Sequence, residues 1–390
     1  MKLSEINNMK KHINLFLLAT ENLLRHKTKS IVVSLCIIAI LLPFITAIAI
    51  SEGVRMQSLS SVEESADLYL TFDEFGRNAA IPLKYLDEVK DVFGVKKVVP
   101  RIIGRCYLQD KLAVIVGIDK EYLPESTSCV SGRIFENASE VVVGHELAEN
   151  FNLTIGDQLS MRGQNRKLFT VVGFFSSASN IWSASTLFMS LQDAGDLFGK
   201  QGFATDIQIY SVPGHNAEIA TELYYIFENE PYRLQDKDMI ELYVKKGFML
   251  KEGIFTALYT VAFALGIPAI LVASGFGLSE RRKEIGIMKA TGWQTLEVLE
   301  LISFEQLLIS LFGATTAILL SIIWMKCFNG AFIAQFFIGE INLLPKFVVP
   351  ARFLPLPCLL SFFFAIILTM VGSIYSSWKA STENPVASLK

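Results

Sequence analysis

Apolar residues along this chain gather in four long blocks with polar stretches between them. Residues 31–50, 253–279, 306–325 and 353–378 contain no Asp, Glu, Lys or Arg. A helix of about 20 apolar residues spans the roughly 30 Å hydrocarbon core of a bilayer. Only a helix or a closed barrel satisfies its own backbone in lipid, so the pattern predicts four transmembrane helices. The spans are placed at 30–51, 253–279, 298–325 and 353–378, the third taking in Glu305. A cleaved leader is the alternative for the first block. Its apolar stretch exceeds the usual 7–15 or so residues, and no small-residue cleavage pattern stands out near residues 47–51.

The long interval at 52–252 reads differently. Residues 66–72, 112–116, 140–143, 168–174, 186–190 and 206–210 are strand-like, rich in β-branched and aromatic residues. Residues 95–117 read as two strands around charged breaks. Helical spacing is seen at 82–93, 146–151, 191–198 and 218–228, and residues 155–157 form a turn. Strands and helices mix without regular alternation, which predicts an α+β domain. Residues 235–252 read as a helical stalk entering the second span. The expected fold is therefore an integral membrane α-helical protein with a large extracytoplasmic α+β domain between its first and second spans.

Basic flanks set the orientation. Lys2, Lys10, Lys11, Arg25, Lys27 and Lys29 precede the first span. Arg281, Arg282, Lys283 and Lys289 lie between the second and third, and Lys379 follows the fourth. The positive-inside rule places segments 1–29, 280–297 and 379–390 in the cytoplasm and segments 52–252 and 326–352 outside. The protein is thus expected in the cytoplasmic (inner) membrane with both termini inside. Residues 14–28 combine an apolar face with basic flanks, the pattern of a helix lying on the inner membrane surface. His12 and His26 fall in this segment with no chemistry assigned.

Composition agrees. The 390 residues are 52% hydrophobic and 19% charged, with a net charge of −3. Mean hydropathy is +0.42. Soluble chains carry about 25% charge, and disordered ones have the opposite balance. The slight acidity argues against nucleic acid as a partner. No phosphate-binding loop G-x-x-x-x-G-K-[ST] is present, so ATP is not bound by that route. His145-Glu146 opens like a zinc-protease helix, but position 149 is Glu where the second His is needed. Four scattered His and the lack of a G-x-S-x-G elbow leave no metal site and no catalytic residues to name. Cys106 and Cys129 both fall in the outer segment, where an oxidising compartment would permit a disulfide between them. Cys36, Cys327 and Cys358 lie in or beside spans and read as small apolar packing residues. Glu305 lies near the cytoplasmic end of its span, within reach of interfacial water. Pro43 and Pro268 are candidate kinks. Gly275 and Gly277 permit close packing without completing a dimer motif.

The chemistry-bearing stretch is the inner loop SERRKEIGIMKATGWQTL. A charged block leads into a short helix, and Thr291-Gly292 breaks it. In a simple helix drawing Glu284 and Lys289 are exposed, and Ile285, Ile287 and Met288 form an apolar ridge.

ERRKEIGIMKATG, running on into a Glu-containing span, resembles the signature of FtsX-like permeases in the MacB and LolC/LolE group of ABC transporters. That group carries E-R-x-x-E-I-G-I-x-[KR]-A-x-G, matched here by Glu280, Arg281, Glu284, Ile285, Gly286, Ile287, Lys289, Ala290 and Gly292, with Glu305 following. The opening LATENLLRHKTKS and the closing KASTENPVASLK, with Pro385 and Leu389, are similar to the ends of such permeases. SGRIFENASEVVVGHELAENFNLTIGD, LFTVVGFF and TLFMSLQDAGDLF resemble the MacB-type periplasmic segment.

The resemblance implies one span, a large outer domain, then three spans. It implies a dimer with a second copy or a related permease, working on ABC ATPase subunits that bind ATP and Mg, so that no cofactor is bound by this chain. With about 30 residues ahead of the first span, the ATPase is expected on a separate chain. Glu280, Arg281, Arg282, Lys283, Glu284, Ile285, Gly286, Ile287, Lys289 and Gly292 would then form the ATPase-coupling element. ATP-driven movement of the spans would reshape the outer domain, in efflux with a periplasmic adaptor. A LolC/LolE-like lipoprotein extractor and an FtsX-like activator of a cell-wall hydrolase are the alternatives.

Overall fold

The computed structural model describes residues 2–108, 111–124, 127–177, 179–275, 278–338 and 347–382. The chain divides into two compact units. One comprises Met1–Glu52, Lys251–Ala334 and Ala351–Lys390; the other comprises Gly53–Leu250 and Gln335–Pro350.

Two helices open the chain, α1 (Lys2–Arg25) and α2 (Lys27–Glu63). Strands β1 (Leu68–Glu74), β2 (Arg77–Ala79) and β3 (Ile81–Pro82) precede α3 (Leu86–Lys90). Next come β4 (Val95–Leu108), β5 (Lys111–Gly117), β6 (Ser128–Gly132), β7 (Glu140–Gly144) and α4 (His145–Phe151). After β8 (Gln158–Arg162) and β9 (Arg166–Ser176) lie α5 (Asn180–Ser183), β10 (Thr186–Met189) and α6 (Leu191–Phe198). The second unit's remaining strands are β11 (Phe203–Ala204), β12 (Asp206–Ser211) and β13 (Tyr232–Asp236), with α7 (Asn216–Ile226) between the last two. The chain ends with α8 (Lys237–Gly275), α9 (Leu278–Ala290), α10 (Thr295–Phe328), α11 (Ala334–Phe337) and α12 (Pro355–Thr382).

In the helical unit, α2, α8, α10 and α12 share an apolar core. Val33, Ile37, Leu41 and Ile45 of α2 pack with Ile270, Ile309, Ala314, Ala317, Ala365 and Leu368. By length and composition, Lys27–Glu63, Lys237–Ile270 and Thr295–Phe328 can each cross a membrane, and Pro355–Val371 is a shorter apolar stretch within α12. Pro43 and Pro268 lie inside α2 and α8. One buried polar pair links α2 to α10: the Thr46 and Ser321 hydroxyls meet at 2.8 Å. Such pairing offsets the cost of burying a hydroxyl away from water.

The second unit is built on an 11-stranded mixed sheet. Its order is β13-β1-β12-β4-β5-β10-β7-β9-β6, with β2 added to β1 and β8 to β9. The pairs β5/β10 and β7/β9 are parallel, and the other pairs of the sheet are antiparallel. The central strands are covered on both faces, so their residues are buried without alternation. Val141 and Val143 join one core with Ile115, Phe169, Leu187 and α4 and α6. Val142 joins another with Val116, Val172, Phe175 and Phe188. This double burial explains the continuous apolar runs of the sequence. A third core sets Ile219, Leu223 and Phe227, at or near α7, against Leu68, Leu70, Ile207 and Ile209.

The strand-like segments and most helical segments of the interval form those elements. Residues 82–93 depart from the expected single helix: Leu83–Tyr85 is one 3₁₀ turn and α3 ends at Lys90. β2, β3, β6, β8, β11 and β13 carry too few apolar alternations to be read alone. The Cys106–Cys129 disulfide is not formed; both thiols are free, Cys106 buried and Cys129 exposed. Four strands separate β4 from β6 in the sheet. At about 4.8 Å per strand that distance far exceeds disulfide reach. Burial pushes the Cys106 thiol up to about 11. Gly277, Pro385 and Leu389 lie outside the described residues.

Candidate functional site

The loop singled out by its motif is α9 and the turn into α10. Gly292 has φ +100°, a backbone region that costs side-chain-bearing residues strain. Its N–H reaches Lys289 O at 3.1 Å, and Trp293 N–H reaches Met288 O at 3.0 Å, closing the end of α9. Gln294 and Glu297 form a capping box that starts α10, with Gln294 N–H donating to Glu297 Oε2 at 2.8 Å. The Lys289 ammonium donates to Thr295 Oγ1 at 2.9 Å across this turn.

The seam between α9 and α10 is apolar. Ile285 is buried with Val298 and Ile302, and Met288 and Trp293 pack at its edge. Gly286 is also buried. Ile287 instead remains 55% exposed. The expected single ridge of Ile285, Ile287 and Met288 is therefore split. At about 100° per residue, Ile285 and Met288 share a face, whereas Ile287 points elsewhere. Glu284 and Lys289 are half-buried and bonded rather than free on the surface. Lys283 is exposed. Glu280, Arg281 and Arg282 lie on the first turn of α9, and their side chains are outside the described residues.

The N-terminal helix binds this junction. Leu15 and Ala19 of α1 are buried against Leu301, and Phe16 meets Phe304 edge-on at 5.8 Å. Lys11 pairs with Glu297 at 2.5 Å, and His12 pairs with Glu300. Asn22 Nδ2 donates to Glu305 Oε1 at 2.9 Å, and Glu305 is only 5% exposed. His26 Nε2 lies 3.1 Å from Glu284 Oε1, with Arg25 at 3.9 Å. One short segment thus holds both α9 and the first turns of α10. Sequence reading located the amphipathic segment, but not its partners. Glu297 and Glu300, three residues apart on one helix face, with Glu305 further along and a basic segment elsewhere in the chain, were the available signal. Glu305 is a buried, hydrogen-bonded carboxylate.

Long apolar helices in one unit, with the short charged helix α9 between α8 and α10, and a mixed-sheet domain as the other unit are the features of a membrane permease with an extracytoplasmic domain. Residues 31–222 match the family model of the MacB-like periplasmic core domain, and residues 256–385 match that of the FtsX-like permease C-terminal. The chain belongs to the FtsX/MacB family of ABC transporter permeases. An uncharacterized ABC transporter permease of Methanocaldococcus jannaschii is 22% identical, over 78% of this chain and 82% of that protein. Among solved structures, the periplasmic region of MacB from Actinobacillus actinomycetemcomitans is 15% identical, with a TM-score of 0.37. That match covers 48% of this chain and 97% of that one. The extracellular domain of the ABC-type transporter YknZ from Gram-positive bacteria is 17% identical, with a TM-score of 0.35, over 44% and 100% of the two chains.

Proposed function

We propose that this chain is the membrane subunit of a MacB-like ABC transporter and that α9 receives the movement of a separate ATPase. The reading places four helices across the cytoplasmic membrane, both termini and α9 inside, and Gly53–Leu250 outside. ATP and Mg belong to the ATPase. Two permease copies, or this chain with a related one, form the working dimer, and a periplasmic adaptor meets the outer domain in efflux.

The observation that carries this reading is the division of α9. One side is fixed by Ile285 on α10 and by Glu284 on the N-terminal segment. The other presents Ile287, and Leu296, in the first turn of α10, stands 74% exposed. A body docking against Ile287 would move α9 and α10 together, because their shared seam is apolar and buried. Differential affinity of the ATP-bound and free ATPase for two arrangements of this seam would supply the switching energy. Movement, rather than passage of substrate through the helices, is the output.

Purification of the tagged chain from its native host in mild detergent, with mass spectrometry of co-purifying proteins, tests this. An ABC ATPase is expected in the wild-type preparation. Its stimulation should be lost in Glu284→Arg and Ile287→Asp while membrane insertion persists. A preparation with no ATPase after gentle crosslinking would overturn the reading.

A further inference from the structure

The outer unit contains a cleft of about 390 Å³ that the permease reading does not use. That volume lies at the lower end of the range for small-molecule sites, about 300–1,000 Å³. Its floor is one face of consecutive strands. Tyr69 on β1 stands opposite Gln208 on β12, and Arg101 on β4 opposite Asp206. Val116 on β5 is opposite Phe188 on β10. One wall is the end of α2, and the other is the segment around Trp182.

Hydrogen-bonding capacity in this cleft is unevenly distributed. Ser58, Ser61 and Ser65 fall at helical spacing i, i+3, i+7. Their hydroxyls donate to Val54 O, Gln57 O and Val62 O at 2.9, 3.0 and 2.6 Å. Ser185, across the cleft, donates to Ile181 O at 3.2 Å. Each hydroxyl has spent its proton, so what remains toward the cleft is lone pairs. Glu64, exposed beside the three serines, adds a carboxylate. This wall accepts and does not donate.

The floor's cation is already matched. Arg101 donates to both oxygens of Asp206, from Nε at 2.9 Å and Nη2 at 2.7 Å, and stacks near the Tyr69 ring. Burial works against its charge, but Asp206 outweighs that and holds the proton more tightly. Lys97 sits over the Tyr122 and Tyr210 rings at 4.9 and 5.5 Å. The apolar end is set by Trp182, edge-on to Phe188 at 5.4 Å.

We propose that this cleft binds a small amphipathic amine, its ammonium on the Glu64 and serine wall and its ring or apolar body against Trp182 and Phe188. An ammonium brings three donors and no acceptor, matching a wall with the opposite inventory. A carboxylate head would meet those lone pairs unfavourably. The inference stands on the cleft alone and is independent of the ATPase partner.

The test is saturation-transfer NMR on the full chain in lipid nanodiscs, with phenethylamine, 2-phenylethanol and 3-phenylpropionate as probes. Phenethylamine should give the strongest transfer. Glu64→Gln should weaken its binding about tenfold, the loss of one charge-assisted contact. Ser61→Trp, at an exposed position where folding is not at stake, should abolish it by filling the cleft. Equal transfer from all three probes, or transfer unchanged by Ser61→Trp, would show partition into lipid and overturn the site. Stronger binding of 3-phenylpropionate, or no transfer from any probe, would overturn the assignment of an amine.

Discussion

The junction of α1, α9 and α10 and the sheet of the second unit hold themselves together by opposite means. In the sheet, Phe169, Val171, Leu187 and Ile115 are fully buried between layers, and a Cβ on Gly144 would sit 1.8 Å from the Ser183 carbonyl oxygen. At the junction, a thin seam around Ile285 is supplemented by ion pairs between partly exposed side chains. Lys11 is 46% exposed and His12 49%. Exposed ion pairs contribute little, typically under about 1 kcal/mol. A sheet core made this way cannot exchange neighbours cheaply, whereas the junction can.

The largest expected effect follows from the sheet. Phe169→Ala should destabilise the outer unit by about 3–5 kcal/mol, read as lost protease resistance of the Gly53–Leu250 region. Gly144→Ala should have a comparable effect, because the contact is with backbone that cannot rotate away. If either were neutral, the contrast with the junction would fail.

A smaller effect is expected at the buried end of the clasp. Asn22→Leu removes the N–H donor to Glu305 and should cost about 1–3 kcal/mol, freeing α1 to proteolysis while α10 stays folded. Equal loosening by Lys11→Ala would mean that the exposed pair matters as much as the buried one, against the account.

The smallest effect is a pH dependence in the outer unit. Arg133 beside Glu140, with the Glu136 and Asn137 amides, holds the Glu140 carboxyl well below its usual range. A depressed carboxylate contributes stability that is present above the unfolded value, about 4.3, and lost as pH falls toward the folded value. Glu140→Gln should therefore be less stable than wild type at pH 7, with the gap closing below about pH 4. A gap that widens in acid would have the wrong sign.

The sequence made long-range character legible and local pairing less so. The four apolar blocks, the runs VVV and LAVIV, and the ERRKEIGIMKATG stretch each carried their own signal. Double-faced burial wrote the central strands as unbroken apolar runs. Edge strands such as β6, wholly exposed, left no such trace. The two faces of α9 were merged into one ridge because Ile285 and Ile287 are chemically alike, although lying two residues apart on a helix sets them about 200° from each other; which of the two faces is covered depends on where α10 packs. His12 and His26 each looked isolated because their partners, Glu300 and Glu284, lie more than 250 residues away in sequence. The disulfide reading failed for a related reason: a shared compartment does not bring two cysteines together when the sheet order keeps their strands apart.

The central claim is that the exposed side of α9 is the docking face for the ATPase. A photo-crosslinking residue placed at Ile287, and separately at the buried Ile285, in cells carrying the native partners, tests it most directly. The account predicts an adduct with an ABC ATPase from position 287, changing in yield when ATP is trapped, and none from position 285. No ATPase adduct from 287, or equal adducts from both positions, would contradict it.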